Sequence, residues 1–228
     1  MPSSSSWLLL LSSIAVLLLL LLLLLLLLSR FKGGYGVLRI ENMLSHEQCD
    51  SIVALSLQKG LRDAETIDRD NASTYSSVND ALRRSKTVFL NDDAGPETAL
   101  LAERARRLSR LPISHQEPLQ VAFYEPGGDF KDHYDACSET ADVCEKFNHG
   151  AGHRVWTLLV YLNDDFEGGE THFPSIGETI RPKKGMAILF RNLDDRGQID
   201  RRSMHRGNPV VSGNKWICTK WTHEREWS

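Results

Sequence analysis

Beyond Pro112 the chain is cut by glycine and polar turns into short β-rich segments, at 119–124, 155–162, 179–181, 186–190 and 215–222. This pattern constrains the fold more than any other feature. Several short strands at such spacing build a sandwich or a barrel. The stretches between them hold no helix long enough for the crossover of a parallel βαβ unit, so the sheets are expected to be largely antiparallel.

The first half is helical by comparison. Val37 to Ile40 reads as a short strand, and Ser45 followed by Gln48 is a capping box that opens a helix ending near Gly60. Ile52, Val53, Leu55 and Leu57 are expected on its buried side. Residues 63–80 are polar without a clear period and read as a loop, and 86–90 as a strand. A second helix starts around Pro96 and runs through Ala99, Leu100, Leu101, Ala105 and Leu108, with Arg104, Arg106, Arg107 and Arg110 on its wetter side. Both helices are expected to cover one face of the β core, a mainly β fold with flanking helices.

Residues 1–29 carry no charged side chain, and Trp7 to Leu28 is a nearly unbroken apolar run dominated by leucine. About 20 such residues span a bilayer as a helix. Leucines, not small residues, occupy 26–28, so an uncleaved transmembrane signal anchor at 1–29 is expected in preference to a cleaved signal peptide. Residues 30–36 read as a linker and 37–228 as one globular domain. Arg30 and Lys32 just past the span would draw that flank toward the cytoplasm. Asn71-Ala72-Ser73, which fits a glycosylation acceptor, and the pairable Cys137 and Cys144 point instead to an oxidising lumen. An unused sequon and free buried thiols are the alternatives. The net charge of −3 and pI near 6.2 supply no basic field, which excludes a nucleic-acid partner.

In His133-Tyr134-Asp135 an imidazole and a carboxylate lie two residues apart, so on an extended segment both point to one face. His205, between two β segments, completes two histidines and one carboxylate, the facial ligand set of non-haem Fe(II) oxygenases. Such a set leaves open positions for a bidentate 2-oxo acid and dioxygen, which a closed structural zinc site lacks. A 2-oxo diacid also needs a cation for its far carboxylate, and Lys215 lies ten residues past His205. A zinc hydrolase is disfavoured because no His-Glu-x-x-His helix is present.

Around these residues the chain resembles the prolyl 4-hydroxylase branch of the Fe(II)/2-oxoglutarate dioxygenases. The resemblance runs from about Val37 to Glu226. It rests on Tyr124 nine before His133, Tyr161-Leu162-Asn163, Gly168-Gly169-Glu170-Thr171, Phe173-Pro174, Pro182-Lys183-Lys184-Gly185, and Gly213-Asn214-Lys215-Trp216 leading to Trp221-Thr222-His223-Glu224. It implies a double-stranded β-helix (jelly-roll) core, iron on His133, Asp135 and His205, and Lys215 on the distal carboxylate of 2-oxoglutarate. It further implies Tyr124, Thr171 and Trp221 in that pocket, and Arg154 and His223 at a peptide-substrate groove. The implied reaction is hydroxylation of peptidyl proline at C4, coupled to decarboxylation of 2-oxoglutarate to succinate, with O2 as oxidant and L-ascorbate as the rescuing reductant. A proline-containing peptide or protein would be the partner, and a luminal domain on an endoplasmic reticulum or Golgi membrane the setting. Residues 136–153 do not match the family residue by residue and are expected to shape a lid. The competing readings are a related dioxygenase acting on another residue or a small molecule, and an inactive membrane-tethered binding module, which would need a broken ligand set.

Overall fold

The computed structural model describes residues 36–67 and 76–227. The expected anchor at 1–29, most of the linker and the sequon at Asn71 lie outside the described residues. Among those described, no helix is long and apolar enough to cross a membrane.

Fifteen strands are found among the described residues. They are β1 Leu38–Ile40, β2 Arg62–Asp63, β3 Glu65–Ile67, β4 Ser76–Val78, β5 Lys86–Leu90, β6 Leu119–Tyr124, β7 Phe130–His133 and β8 Arg154–Tyr161, followed by β9 Glu167–Gly168, β10 Thr171–Phe173, β11 Glu178–Ile180, β12 Ala187–Arg191, β13 His205–Gly207, β14 Val210–Ser212 and β15 Lys215–His223. The major sheet runs β1-β12-β8-β15-β6-β5-β2 and the minor sheet β11-β10-β13-β7, every pair antiparallel. Val37–Ser228 form one compact unit.

Period-two alternation splits the central strands between two cores. On β8, Leu158 and Val160 join Cys49, Ile52, Leu101 and Ala105 from two helices, α1 His46–Lys59 and α2 Pro96–Ser109. Leu159 and Tyr161 face the other way, against Phe173 and Ile180 of the minor sheet. Because both faces are covered, β8 is apolar apart from Arg154 and Thr157 and shows no polar side.

The start of α1 is set as its sequence requires. Ser45 Oγ accepts from Gln48 N–H at 3.2 Å and Gln48 Oε1 accepts from Ser45 N–H at 2.9 Å, satisfying two otherwise orphaned donors. Its buried side is Cys49, Ile52 and Ser56, and Leu57 is 58% exposed, which corrects the expected inward position of Leu57. Ser56 occupies the next inward position because its hydroxyl donates to Ile52 O at 2.7 Å and needs no partner from the core. Residues 63–80 are not wholly loop: β2 pairs with β5, and β3 with β4. These segments are exposed edges, held by backbone ladders that need no apolar alternation. Residues 136–153 contain a helix, α3 Ala141–Phe147, and Cys137 is disulfide-bonded to Cys144, while Cys49 and Cys218 are free and buried. Where β12 begins, Gly185 at φ +80° lets the chain pass Leu44, whose N–H it accepts at 3.1 Å.

Candidate active site

The site lies between the two sheets. β7 and β13 of the minor sheet pair with His133 directly opposite His205, so the two imidazoles arrive by register from segments far apart in sequence. Asp135 sits in the bend just after β7. The ligand atoms of His133, Asp135 and His205 lie within 4.8 Å of one another. Asp135 Oδ1 is 3.7 Å from His133 Nε2, and Oδ2 is 3.9 Å from His205 Nε2.

Each imidazole is held through its other nitrogen. His133 Nδ1 meets Lys131 O at 2.7 Å and His205 Nδ1 meets Ser203 O at 2.9 Å. A carbonyl only accepts, so both Nδ1 atoms carry the hydrogen and both Nε2 lone pairs point inward. Burial first, and the neighbouring His205 second, push His133 down to about 3, which keeps it neutral and able to ligate. Burial alone would raise the Asp135 carboxyl, but the two histidines, Arg154 and the Thr157 hydroxyl hold it down to about 2. Two imidazole nitrogens and a carboxylate oxygen on one side of an otherwise open cavity suit a six-coordinate ferrous ion.

The same cavity contains Lys215. It opens β15, is 2% exposed, and sits opposite Tyr124 in the β6–β15 ladder with its Nζ 5.0 Å from the Tyr124 ring centroid. No described residue gives it a hydrogen bond or ion pair. Burial is the main cause that brings its ammonium down to about 8, against a weaker pull upward from Glu170. A buried cation without a counter-ion is expensive unless a ligand supplies one. Lys215, Ile217, Thr219 and Trp221 alternate along one face of β15 and all line the cavity, as do Tyr124 and Thr171. Thr171 Oγ1 also accepts from Tyr161 O–H at 2.7 Å.

The family model described as the 2OG-Fe(II) oxygenase superfamily matches residues 119–223, a span holding all of these groups. The chain is 32% identical over 204 residues to prolyl 4-hydroxylase 1 of Arabidopsis thaliana, covering 83% of this chain and 69% of that one. It is 34% identical over 190 residues to the prolyl 4-hydroxylase subunit alpha-1 of Bos taurus, of whose length it spans 34%. This chain belongs to the prolyl 4-hydroxylase family of 2-oxoglutarate- and Fe(II)-dependent oxygenases. It is therefore an oxidoreductase, with Fe(II), 2-oxoglutarate and O2 as its family's reaction components. Among solved structures of the family, the 2OG complex of the viral collagen prolyl hydroxylase from Paramecium bursaria Chlorella virus-1 superposes with a TM-score of 0.63 at 26% identity, covering 81% of this chain and 94% of that one. A prolyl hydroxylase from Trichoplax adhaerens shares the fold, with a TM-score of 0.62 at 18% identity, covering 86% of each chain.

Against the family pattern, all seven residues expected at iron and 2-oxoglutarate meet at one cavity, whereas Arg154 and His223 do not line it. His223 is 0% exposed, with Nε2 2.7 Å from Glu117 Oε1 and Nδ1 3.0 Å from Gly152 O. Its imidazole is thus held behind the cavity wall by Glu117 and Gly152. Arg154 donates through Nη2 to Glu117 Oε2 at 2.9 Å and lies over the Trp221 ring at 3.7 Å from its centroid. Its guanidinium thus braces the cavity wall from behind. Glu117, buried between these two side chains, carries no motif and was not anticipated. Neither was Arg83, a buried guanidinium that lines the cavity, bonds Gln120 Oε1 at 3.1 Å and stacks over Phe130.

Proposed function

We propose that this protein hydroxylates peptidyl proline at C4, converting 2-oxoglutarate and O2 to succinate and CO2. The observation that carries the reading is the meeting, in one cavity, of an open three-ligand metal group and a buried lysine with no ion-pair partner among the described residues. A five-carbon 2-oxo diacid answers both, with its 2-oxo acid end on the metal and its far carboxylate on Lys215. The relatives named for prolyl 4-hydroxylation supply the substrate class. When bound, Fe(II) would supply the activation of O2 and the oxidising equivalents for C–H hydroxylation. His133, Asp135 and His205 would hold it. Lys215 would fix the co-substrate, and Leu159, Ile217, Phe130 and Trp221 would keep bulk water from the reacting atoms. Ascorbate would restore metal oxidised in turnovers without substrate.

The full chain, supplied with Fe(II), 2-oxoglutarate, ascorbate and proline-rich peptides, is expected to release succinate and add one oxygen atom to proline at C4. Turnover that never depends on peptide, or oxygen delivered to another residue, rejects the prolyl assignment. We also propose that 1–29 anchors the chain in an endoplasmic reticulum or Golgi membrane with the catalytic domain in the lumen. The apolar run, the Asn71 sequon and the Cys137–Cys144 disulfide support this setting. Sugar attached at Asn71 in expressing cells is the expected result, and a reactive, cytoplasmically labelled domain would reverse the topology.

A further inference from the structure

The two oxygens of Asp135 are not equivalent. Thr157, fully buried on β8, donates its hydroxyl to Oδ2 at 2.6 Å. Asn192, fully buried just after β12, donates through Nδ2 to Thr157 Oγ1 at 2.8 Å. A hydroxyl has one hydrogen, and an amide NH2 group has no lone pair to receive it, so Asn192 forces that hydrogen onto Asp135. Oδ1 meets no hydrogen-bond donor among the described residues and stands 3.7 Å from His133 Nε2.

The backbone of Asn192 reaches a second ligand. Its carbonyl accepts from Asp200 N–H at 2.9 Å, and Asp200 O accepts from Ser203 N–H at 2.9 Å. Ser203 O in turn accepts the Nδ1 hydrogen of His205 at 2.9 Å. One residue at the end of β12 is therefore tied to the carboxylate through its side chain and to an imidazole through its main chain.

We infer that Thr157 and Asn192 are positioning residues for the metal centre, holding Asp135 so that it offers one oxygen to the ion. A carboxylate free to bind through both oxygens would take a coordination position that the 2-oxo acid or dioxygen needs. Packing alone does not call for a hydroxyl here. Thr157 shares its face of β8 with Leu159 and Tyr161, where valine has the same shape and strand preference. Removing the hydroxyl leaves the volume intact and takes away the bond to Oδ2 together with the one received from Asn192 Nδ2.

The inference rests on the metal-centre reading, and metal binding to the full chain tests the two separately. Mn(II) affinity is measured by electron paramagnetic resonance, and Co(II) coordination by its d–d absorption, with the melting temperature of each metal-free variant alongside. Thr157→Val is expected to weaken Mn(II) binding roughly 10–100-fold and to alter the Co(II) bands, whereas Thr157→Ser, which keeps the hydroxyl, stays within about threefold of the wild type. Asn192→Ala, which frees the hydroxyl hydrogen to turn away, is expected to weaken Mn(II) binding in the same direction and serves alone if Thr157→Val does not fold. Wild-type affinity and spectrum in Thr157→Val or Asn192→Ala overturn the inference, as does a Thr157→Ser variant as weak as Thr157→Val. A wild-type protein that binds neither ion overturns the metal-centre reading, and the inference with it.

Discussion

Replacing Lys215 by methionine is expected to stabilise the free protein while disabling it. The side chain keeps its length and apolar stem and loses only the charge, which in the wild type is 2% exposed and has no counter-ion among the described residues. The fall of its pKa from 10.5 to about 8, driven chiefly by burial, places the strain of holding that cation at ~3 kcal/mol. Releasing it should raise the melting temperature of the 2-oxoglutarate-free protein at neutral pH by several degrees, with a ceiling of ~10 °C. With 2-oxoglutarate the order reverses. The wild type gains a buried, hydrogen-bonded charge pair whose loss costs ~2–5 kcal/mol, so the variant should bind the co-substrate roughly 30- to 5000-fold more weakly. Thermal scans of the full chain with Mn(II), run with and without saturating 2-oxoglutarate, read both effects together. A variant that melts below the wild type without 2-oxoglutarate, or that binds 2-oxoglutarate as tightly, refutes the assignment of Lys215 as a cation awaiting its carboxylate.

The same lysine predicts opposite pH trends for binding and stability. Affinity for 2-oxoglutarate should fall as pH rises through about 8, because the free site loses the proton that the bound carboxylate requires; a flat titration with Mn(II) present contradicts this. The lysine's contribution to the stability of the free protein should instead rise between about 8 and 10.5, where the unfolded chain still holds the proton that the folded chain has lost; calorimetry comparing wild type with Lys215→Met isolates it. Glu117→Gln leaves Arg154 and His223 without the carboxylate buried between them and should cost ~3–5 kcal/mol in urea denaturation, with loss below ~1 kcal/mol arguing that the three form no working unit. Gly185→Ala puts a Cβ 2.3 Å from Leu44 O at a φ of +80° and should lower stability by at least ~1–3 kcal/mol; an unchanged melting temperature would mean that the turn relaxes freely.

Most of the load-carrying frame was legible in the sequence. The helix that Ser45 and Gln48 announce begins where those residues place it, and β5, β6 and β15 match their apolar runs closely. Legibility fails for β7, β10 and β13, which are three or four residues long and polar in part, too short for alternation to register. These are the strands that carry His133, Thr171 and His205, so the site's scaffold is its least readable part. Leu57 fails for a related reason: apolar character gives a residue's preference, and only packing decides which neighbours reach it first.

What the sequence determined by itself is the chemistry: two imidazoles and a carboxylate, a lysine ten residues beyond, and the strands and caps that local spacing dictates. Those are properties of covalent order and short-range periodicity, which no distant contact can alter. Tertiary structure decided the rest. Strand register sets His133 against His205, sheet closure buries Lys215 with no ion-pair partner among the described residues, and β8 and β12 bring Thr157 and Asn192 behind Asp135. Each of these depends on segments dozens of residues apart sharing one buried volume, where the absence of water makes a single hydrogen bond or an unpaired charge decisive.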